Sequence, residues 1–234
     1  MTAPPRQMSF QLDHRPALGR AAFLIAPSNQ SAVQAISAWR DWPGRRMALC
    51  GPARSGKTHL AHVWMQETGA ARIDAAALDD LAVRGTIAAG NAVIEDVDRI
   101  ADLDQKKRDS AEKALFHLLN LAGDEGAWVL LTGREGPARW TVRIPDLASR
   151  LAALPVTALD KPDDMLLSSL LVKLFADRQL QVGPDVIRFL ARRIERSCAA
   201  AEEAVDALDR LSLERKRPVT QHLAAQMLGA GAGE

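Results

Sequence analysis

Short apolar runs alternate with amphipathic stretches over much of the chain, and this alternation predicts strands and helices in turn. Five apolar runs have the length and composition of buried strands: residues 47–50, 70–73, 92–94, 128–131 and 154–157. Between them, apolar residues at helical spacing predict helices over about 59–67, 76–84 and 110–121, after an earlier helix that begins at Ser28-Asn29-Gln30 and runs towards Trp39. Such an order predicts an α/β fold, a five-stranded parallel sheet flanked by helices.

The pattern changes after Lys161, where strand-like runs stop and apolar residues recur only at helical spacing. Pro162 suits a first helical turn, and Gly183-Pro184-Asp185 is predicted to end one helix and begin the next. Ser197 is a candidate cap for a third helix, and Thr220 a candidate start for a fourth. We therefore expect three parts: a tail over 1–20, an α/β domain over 21–158 and a helical domain over 159–234.

Composition narrows the class of protein. The 234 residues include 30 Lys+Arg and 29 Asp+Glu, and 47% are hydrophobic, which excludes disorder along the whole length. A net charge of +1 argues against non-specific binding of nucleic acid through an overall positive charge. The first residues form no apolar leader and no run is long enough to cross a membrane, so we expect a cytoplasmic protein. Cys50 and Cys198 are expected to be buried thiols.

The strongest motif is a complete GxxxxGK[ST] sequence between a predicted strand and a predicted helix. In this motif the glycines let backbone N–H groups surround phosphates, the lysine neutralises the β- and γ-phosphates, and the last hydroxyl reaches Mg²⁺. The motif predicts a nucleotide site, with Thr58 as the metal-contacting residue. Its residues here are Gly51, Pro52, Ala53, Arg54, Ser55, Gly56, Lys57 and Thr58.

A second acidic element follows at the end of the run 92–94, where Glu95 and Asp96 are candidates to orient Mg²⁺ and its water. The usual order in this element has aspartate first, so the longer Glu95 side chain predicts nucleotide binding with inefficient hydrolysis. His59 and His62 lie three residues apart on one helix, but further ligands at suitable spacing are absent nearby, so we interpret them as packing residues.

The order of these motifs resembles the DnaA-type AAA+ domain. The resemblance is carried by residues 23–29, the GxxxxGK[ST] loop, the acidic strand end, Leu130-Leu131-Thr132 and residues 145–151, and it covers about 21–228. Within that group the chain is most similar to the Hda family, short DnaA homologues that inactivate the replication initiator DnaA. The resemblance implies a P-loop AAA+ fold with a small helical lid, bound ADP or ATP with Mg²⁺, and nucleotide contacts from Ala26, Asn29 and Thr132.

The tail carries a hexapeptide of the kind that binds the bacterial β sliding clamp in this family: Gln7, Met8, Ser9, Phe10, Gln11 and Leu12. Glutamine comes first and apolar residues occupy the second, fourth and sixth positions. The resemblance implies that this segment orders on the clamp when it binds. A plain tail without a binding role is the alternative interpretation.

Arg150 matches the arginine finger of the family, a residue supplied in trans to the nucleotide of a neighbouring subunit. Two positions depart from the family pattern. Thr132-Gly133-Arg134 stands where DnaA proteins have Thr-Ser-Asp, and the position of the sensor-two arginine aligns with Ala199, close to Arg196. Together with Glu95, these departures predict a site that holds ADP as a structural and regulatory ligand and hydrolyses poorly.

Together with these features, the resemblance implies an adaptor that docks on the DNA-loaded clamp, pairs with ATP-bound DnaA and promotes hydrolysis there, which would limit replication initiation. Sequence-specific DNA binding is not expected, because the helix-turn-helix domain with which DnaA recognises DNA would lie beyond Glu234. Self-association as a dimer stays open. Two alternatives also stay open: an autonomous ATPase resembling a helicase loader, and a platform that tethers proteins to the clamp without catalysis.

Overall fold

The computed structural model describes residues 24–88 and 90–230. In this part of the chain, strands and helices alternate up to β5 and helices follow it. The strands are β1 (Arg46–Cys50), β2 (Ala71–Asp74), β3 (Ala92–Glu95), β4 (Val129–Gly133) and β5 (Val156–Ala158). The helices are α1 (Gln30–Ser37), α2 (Lys57–Thr68), α3 (Asp80–Ala88), α4 (Gln105–Asp124), α5 (Pro145–Ala152), α6 (Asp164–Asp177), α7 (Pro184–Ala191), α8 (Cys198–Arg215) and α9 (Gln221–Ala230).

The five strands form one sheet in the order β2-β3-β4-β1-β5, and every pairing is parallel. β1, β3 and β4 are buried along nearly their whole length, as expected for strands covered on both faces. Cys50 lies opposite Gly133, so β1 and β4 end at the same edge of the sheet. The predicted α/β class with a five-stranded parallel sheet is confirmed.

Two hydrophobic layers cover the sheet. On one face, Leu49 packs with α1 and α2 in a layer that includes Trp42 and Trp64, whose rings stack with centroids 5.4 Å apart. On the other face, Ala48 and Ile94 pack against α3, α4 and α5. Successive strand residues thus enter opposite layers, as the period of a strand requires.

The helices after β5 enclose a separate hydrophobic cluster built from α6, α7, α8 and α9. The predicted cap of α8 is confirmed, since Ser197 Oγ accepts from the N–H of Ala200 at 3.1 Å. The predicted start of α9 at Thr220 is also confirmed, and Thr220 Oγ1 accepts there from the N–H of Leu223 at 3.3 Å. None of the helices over 24–88 and 90–230 is long and apolar enough to cross a membrane.

Several predicted helix bounds were wrong because side-chain caps set them. Residues 75–77 form a 3-10 turn fixed by Asp74, which accepts from the N–H of Ala76 at 2.9 Å. α3 begins only at Asp80, behind Asp79, which accepts from the N–H of Ala82 at 2.7 Å. α4 begins five residues earlier than predicted because Asp104 caps it.

Two predictions near α6 were also wrong, and the predicted start of α1 is confirmed in position only. Pro162 precedes α6, whose cap is Asp163, and α6 ends at Asp177 rather than near Gly183. Gln179 follows in the left-handed region, with φ of 57°, and this conformation ends the helical path. Asn29 occupies the cap position of α1, but its side chain accepts no hydrogen bond from that helix. α5 lies in a stretch for which the sequence predicted no helix of its own.

Candidate nucleotide site

The GxxxxGK[ST] segment, residues 51–58, forms the P-loop. It lies between the buried end of β1 and the start of α2, in the strand–loop–helix arrangement expected for it. The loop depends on glycine at two points, where φ is 152° at Gly51 and 99° at Gly56. A Cβ on Gly51 would approach the carbonyl oxygen of Leu159 to 2.4 Å. No larger residue fits there, so the chain is drawn into a tight cradle around the start of α2.

Lys57 places its ammonium group inside this cradle. Its side chain is buried, and Nζ donates hydrogen bonds to the carbonyl oxygens of Gly51 at 2.8 Å and Pro52 at 2.9 Å. Burial lowers the pKa of Lys57, and the nearby carboxylates Asp96 and Asp98 act in the opposite direction. A buried cation held by neutral carbonyls at a helix start is suited to receive an anion.

Polar groups in the cradle fit a phosphate chain. The Ser55 hydroxyl is buried and has no hydrogen-bond partner among the described residues. N–H groups in the first turn of any helix have no acceptor within that helix, and α2 begins here at Lys57 and Thr58. Phosphate oxygens would satisfy such donors, and the Thr58 hydroxyl is of the hard oxygen type that Mg²⁺ prefers.

Both acidic side chains at the end of β3 have cationic partners, and for Asp96 the partner is Arg99, whose Nη1 atom lies 3.8 Å from Oδ2. Glu95 is buried and forms an ion pair with Arg72 of β2. Asp96 follows in the left-handed region with φ of 55°, and its N–H donates to the Thr132 hydroxyl at 3.1 Å. The structure therefore brings Asp96 and Thr132 together at the end of the sheet, while Arg72 engages the Glu95 carboxylate.

The turn before α1 is occupied by its own hydrogen bonds. Asn29 Oδ1 accepts from the N–H of Ala26 at 2.8 Å, and Nδ2 donates to the carbonyl of Leu24 at 2.8 Å. Ser28 links the turn to α6 through Asp163 at 3.3 Å. Among the described residues, no hydrogen bond or ion pair joins this turn to the P-loop, so Ala26 and Asn29 stay candidates that the structure does not bring to Lys57.

The start of α8 lies over the P-loop. The N–H of Cys198 donates to the carbonyl of Arg54 at 3.2 Å, and Arg54 forms an ion pair with Glu203 at 3.0 Å. Ala199 thus follows a residue that touches the loop, whereas the Arg196 guanidinium is paired with Asp164 at 2.7 Å. The lid closes one side of the cradle without placing an arginine there from this segment.

Both cysteines lie near the same cradle. Cys50 ends β1, and the Cys198 sulfur is 3.9 Å from where a Cβ on Gly56 would stand. Both thiols are free, and burial raises the pKa of each to about 11. They are protonated at neutral pH, as expected for packing residues.

The two candidate metal-site histidines lie on α2 beyond the cradle. His62 contacts Gln66 through its Nε2 atom at 3.2 Å, and burial lowers the pKa of His59. Over the described ranges, no group of three or more His, Cys, Asp or Glu side chains is arranged to hold a metal ion.

Arg150 occupies the last turn of α5, at the edge of the sheet opposite the P-loop. Its guanidinium donates to Asn120 Oδ1 at 2.6 Å and lies 5.0 Å from the Phe116 ring centroid. Asn120 follows Leu119, and the carbonyl oxygen of Leu119 accepts a hydrogen bond of 2.5 Å from the side chain of Arg46. Arg46 is the first residue of β1, so Arg150 lies near the amino end of that strand. Lys57 lies beyond the carboxyl end of the same strand, so Arg150 is exposed on a side that its own P-loop does not reach.

Glu112 of α4 is a buried residue that sequence analysis missed. One of its oxygens pairs with Arg108 at 3.0 Å, and the other accepts from the N–H of Arg143 at 2.7 Å and of Ile144 at 3.2 Å. Ile144 precedes α5 and has no side-chain cap of its own. Glu112 therefore anchors the start of the helix that carries Arg150.

The candidate clamp residues 7–12 lie outside the described residues.

Comparison with known proteins relates part of the helical domain to a described family. Residues 166–228 match the domain family described as "Hda, lid domain". The chain is 26% identical over 237 residues to the chromosomal replication initiator protein DnaA of Thermomicrobium roseum. That alignment covers 89% of this chain and 49% of the relative, so the chain spans about half the length of that protein.

Solved structures show the same fold. The structure is similar to domain III of DnaA from Thermotoga maritima, with a TM-score of 0.74 and 18% identity over 92% of this chain and 97% of that one. It is also similar to AMPPCP-bound DnaA from Aquifex aeolicus, with a TM-score of 0.63 and 18% identity over 84% of this chain and 67% of that one. The chain thus has a DnaA-like AAA+ fold, and the helical domain that follows it matches the Hda lid domain over residues 166–228.

Proposed function

We propose that this protein is a nucleotide-holding AAA+ adaptor that regulates replication initiation negatively by stimulating hydrolysis of ATP bound to DnaA. The observation that carries the proposal is the position of Arg150. An exposed arginine at the edge opposite its own P-loop is available only to a nucleotide in another molecule. An arginine supplied in this way neutralises charge that develops on the transferred phosphoryl group.

The P-loop of this chain would hold ADP or ATP with Mg²⁺. Lys57, the Ser55 hydroxyl and the first N–H groups of α2 would receive the phosphates, and Thr58 with Asp96 would face the metal. The bound Mg²⁺ would neutralise phosphate charge. The AMPPCP-bound DnaA structure, which shares this fold, supports a nucleotide in the corresponding cradle.

The surroundings of the cradle favour holding a nucleotide over hydrolysing it. Arg72 engages the buried Glu95 carboxylate, and the Thr132 hydroxyl accepts from the N–H of Asp96. Groups that are committed to partners within the protein are less available to orient a water or to neutralise a transition state. We therefore propose that the bound nucleotide is a structural ligand that stabilises the face presented to DnaA.

Residues 7–12 would attach the protein to the β sliding clamp, and with it to the nucleoid within the cytoplasm. The proposal rests on the resemblance to the Hda family, in which such a hexapeptide binds the clamp, and on the presence here of Gln7 followed by apolar residues at 8, 10 and 12. A Gln7→Ala/Leu12→Ala double variant should lose binding to immobilised clamp in a surface-resonance assay. Undiminished clamp binding by that variant would remove the attachment step from the proposal and leave the arginine step standing.

The decisive assay follows ATP prebound to DnaA in the presence of clamp loaded on DNA. We expect wild-type protein to convert DnaA-bound ATP to ADP, and Arg150→Ala to lose most of this stimulation. Arg143→Ala is the matched control, because Arg143 is also exposed and lies just before α5, where it pairs with Asp109 at 3.2 Å. Equal stimulation by Arg150→Ala would refute the finger. ATP turnover by this chain alone, without effect on DnaA, would favour the autonomous ATPase.

A further inference from the structure

Arg134 extends the candidate nucleotide site beyond the residues of the P-loop. It follows directly after β4, and β4 is hydrogen-bonded to β1 with Gly133 opposite Cys50. Gly51 and Arg134 therefore leave neighbouring strands at the same edge of the sheet. The Arg134 side chain is 57% exposed. It is a long, exposed cation beside the phosphate cradle.

Asp98 holds Arg134 at this edge. It lies in the 3-10 turn after β3, and its Oδ2 atom is 4.0 Å from Nε of Arg134. Its side chain is only 19% exposed, and its other oxygen, Oδ1, is buried without a hydrogen-bond partner over the described ranges. The desolvation of the Asp98 carboxylate is poorly compensated, because one oxygen lacks a hydrogen bond and the other has only a distant ion-pair partner. Arg134 can therefore exchange Asp98 for another anion at little cost.

The same charges surround Lys57. Burial lowers the pKa of Lys57, the charges of Asp96 and Asp98 act to raise it, and that of Arg134 acts to lower it, so all three groups lie within electrostatic reach of Lys57. Lys57 and Arg134 thus face two carboxylates of the chain itself, of which Asp96 is also 3.8 Å from Arg99. A bound phosphate chain must compete with these carboxylates for the cations. Both its attraction to the cations and its repulsion by the carboxylates increase with the number of phosphate charges.

We infer that Arg134 and Asp98 form a counter-ion pair that sets the preference of the site between nucleoside triphosphates and diphosphates. The inference rests on the proposed function, in which the P-loop holds a nucleotide. Lys57 neutralises the β- and γ-phosphates in a site of this kind. A γ-phosphate would bind Arg134 in place of Asp98 and would then lie next to the unpaired Asp98 carboxylate. A diphosphate would leave the ion pair between Arg134 and Asp98 intact.

The two members of the pair act in opposite directions. Arginine binds phosphate through strong charge-assisted hydrogen bonds, so removing Arg134 should weaken triphosphate binding selectively. Asp98 repels the γ-phosphate and retains Arg134, so removing its charge should strengthen triphosphate binding. A residue with a purely structural role would change the affinity for both nucleotides together.

The test measures dissociation constants of full-length protein for AMPPCP and for ADP, by competition with mant-ADP in the presence of Mg²⁺. We expect Arg134→Gln to raise the ratio of the AMPPCP constant to the ADP constant about tenfold, as for loss of one charge-assisted contact. We expect Asp98→Asn to lower that ratio about threefold or more. Circular dichroism and thermal unfolding establish that each variant is folded.

Arg139→Gln and Asp102→Asn are the matched controls, because both residues are exposed and lie in the same two loops outside the cradle. Their ratios should equal that of wild type. A ratio within twofold of wild type in Arg134→Gln, or a shift in the same direction in both test variants, would overturn the inference while the proposed nucleotide site stands. Absence of mant-ADP binding by wild type would overturn both.

Discussion

Glu112 offers a sharp test of how the structure positions Arg150. Its carboxylate is 1% exposed and holds Arg108 together with the N–H groups of Arg143 and Ile144. Replacing Glu112 by alanine leaves a largely buried guanidinium and two backbone donors without their acceptor. Removing one partner from a buried charged network costs about 3–5 kcal/mol. For a chain of this size each kcal/mol lowers Tm by about 2–4 °C.

We therefore expect Glu112→Ala to lower the Tm by about 6–20 °C in differential scanning calorimetry. The same variant should also weaken stimulation of DnaA at temperatures where it is folded, because α5 loses its anchor. Glu135→Ala is the matched control, since Glu135 forms only an exposed ion pair with Arg139 at 3.6 Å and should cost under about 1 kcal/mol. A Tm loss no larger than that of the control would refute the anchoring argument.

Further predictions concern the cradle itself. Gly51→Ala should destabilise the protein by about 2–4 kcal/mol and weaken mant-ADP binding, because its φ of 152° and the 2.4 Å approach to the Leu159 carbonyl exclude a Cβ; Gly136→Ala, with open space around it, should have little effect on either measurement. Burial raises the pKa of Cys50 and Cys198 from 9.0 to about 11, so at pH 8 their thiolate fraction falls about a hundredfold. Iodoacetamide should therefore alkylate both thiols far more slowly in the folded than in the unfolded protein, and rates that are equal in the two states would contradict the burial.

The parts of the fold that the sequence predicted best are those determined by local patterns. β1, β3 and β4 appear as apolar runs because both faces of these strands are covered. Bounds set by single side chains were predicted less well. Asp79 begins α3 and Asp104 begins α4, at positions where the apolar spacing alone does not mark a boundary.

The candidate site divides in the same way. The P-loop could be identified because all its residues are adjacent in the chain and their spacing is fixed by the phosphates they surround. The pairs Arg72–Glu95 and Asp98–Arg134 could not, because each joins segments that only the strand order brings together. A carboxylate such as Glu112 reads as part of an exposed helix until the segment before α5 is seen to pack on it.

Single-turnover hydrolysis of ATP prebound to DnaA tests the central claim most directly. The rate should be measured against the concentration of ADP-loaded protein with clamp on DNA, for wild type and Arg150→Ala. The account predicts a rate that rises with wild-type concentration to a plateau and stays at the DnaA baseline with Arg150→Ala. A rate independent of wild-type concentration, or an undiminished plateau with Arg150→Ala, would contradict the claim that Arg150 acts on the nucleotide of another molecule.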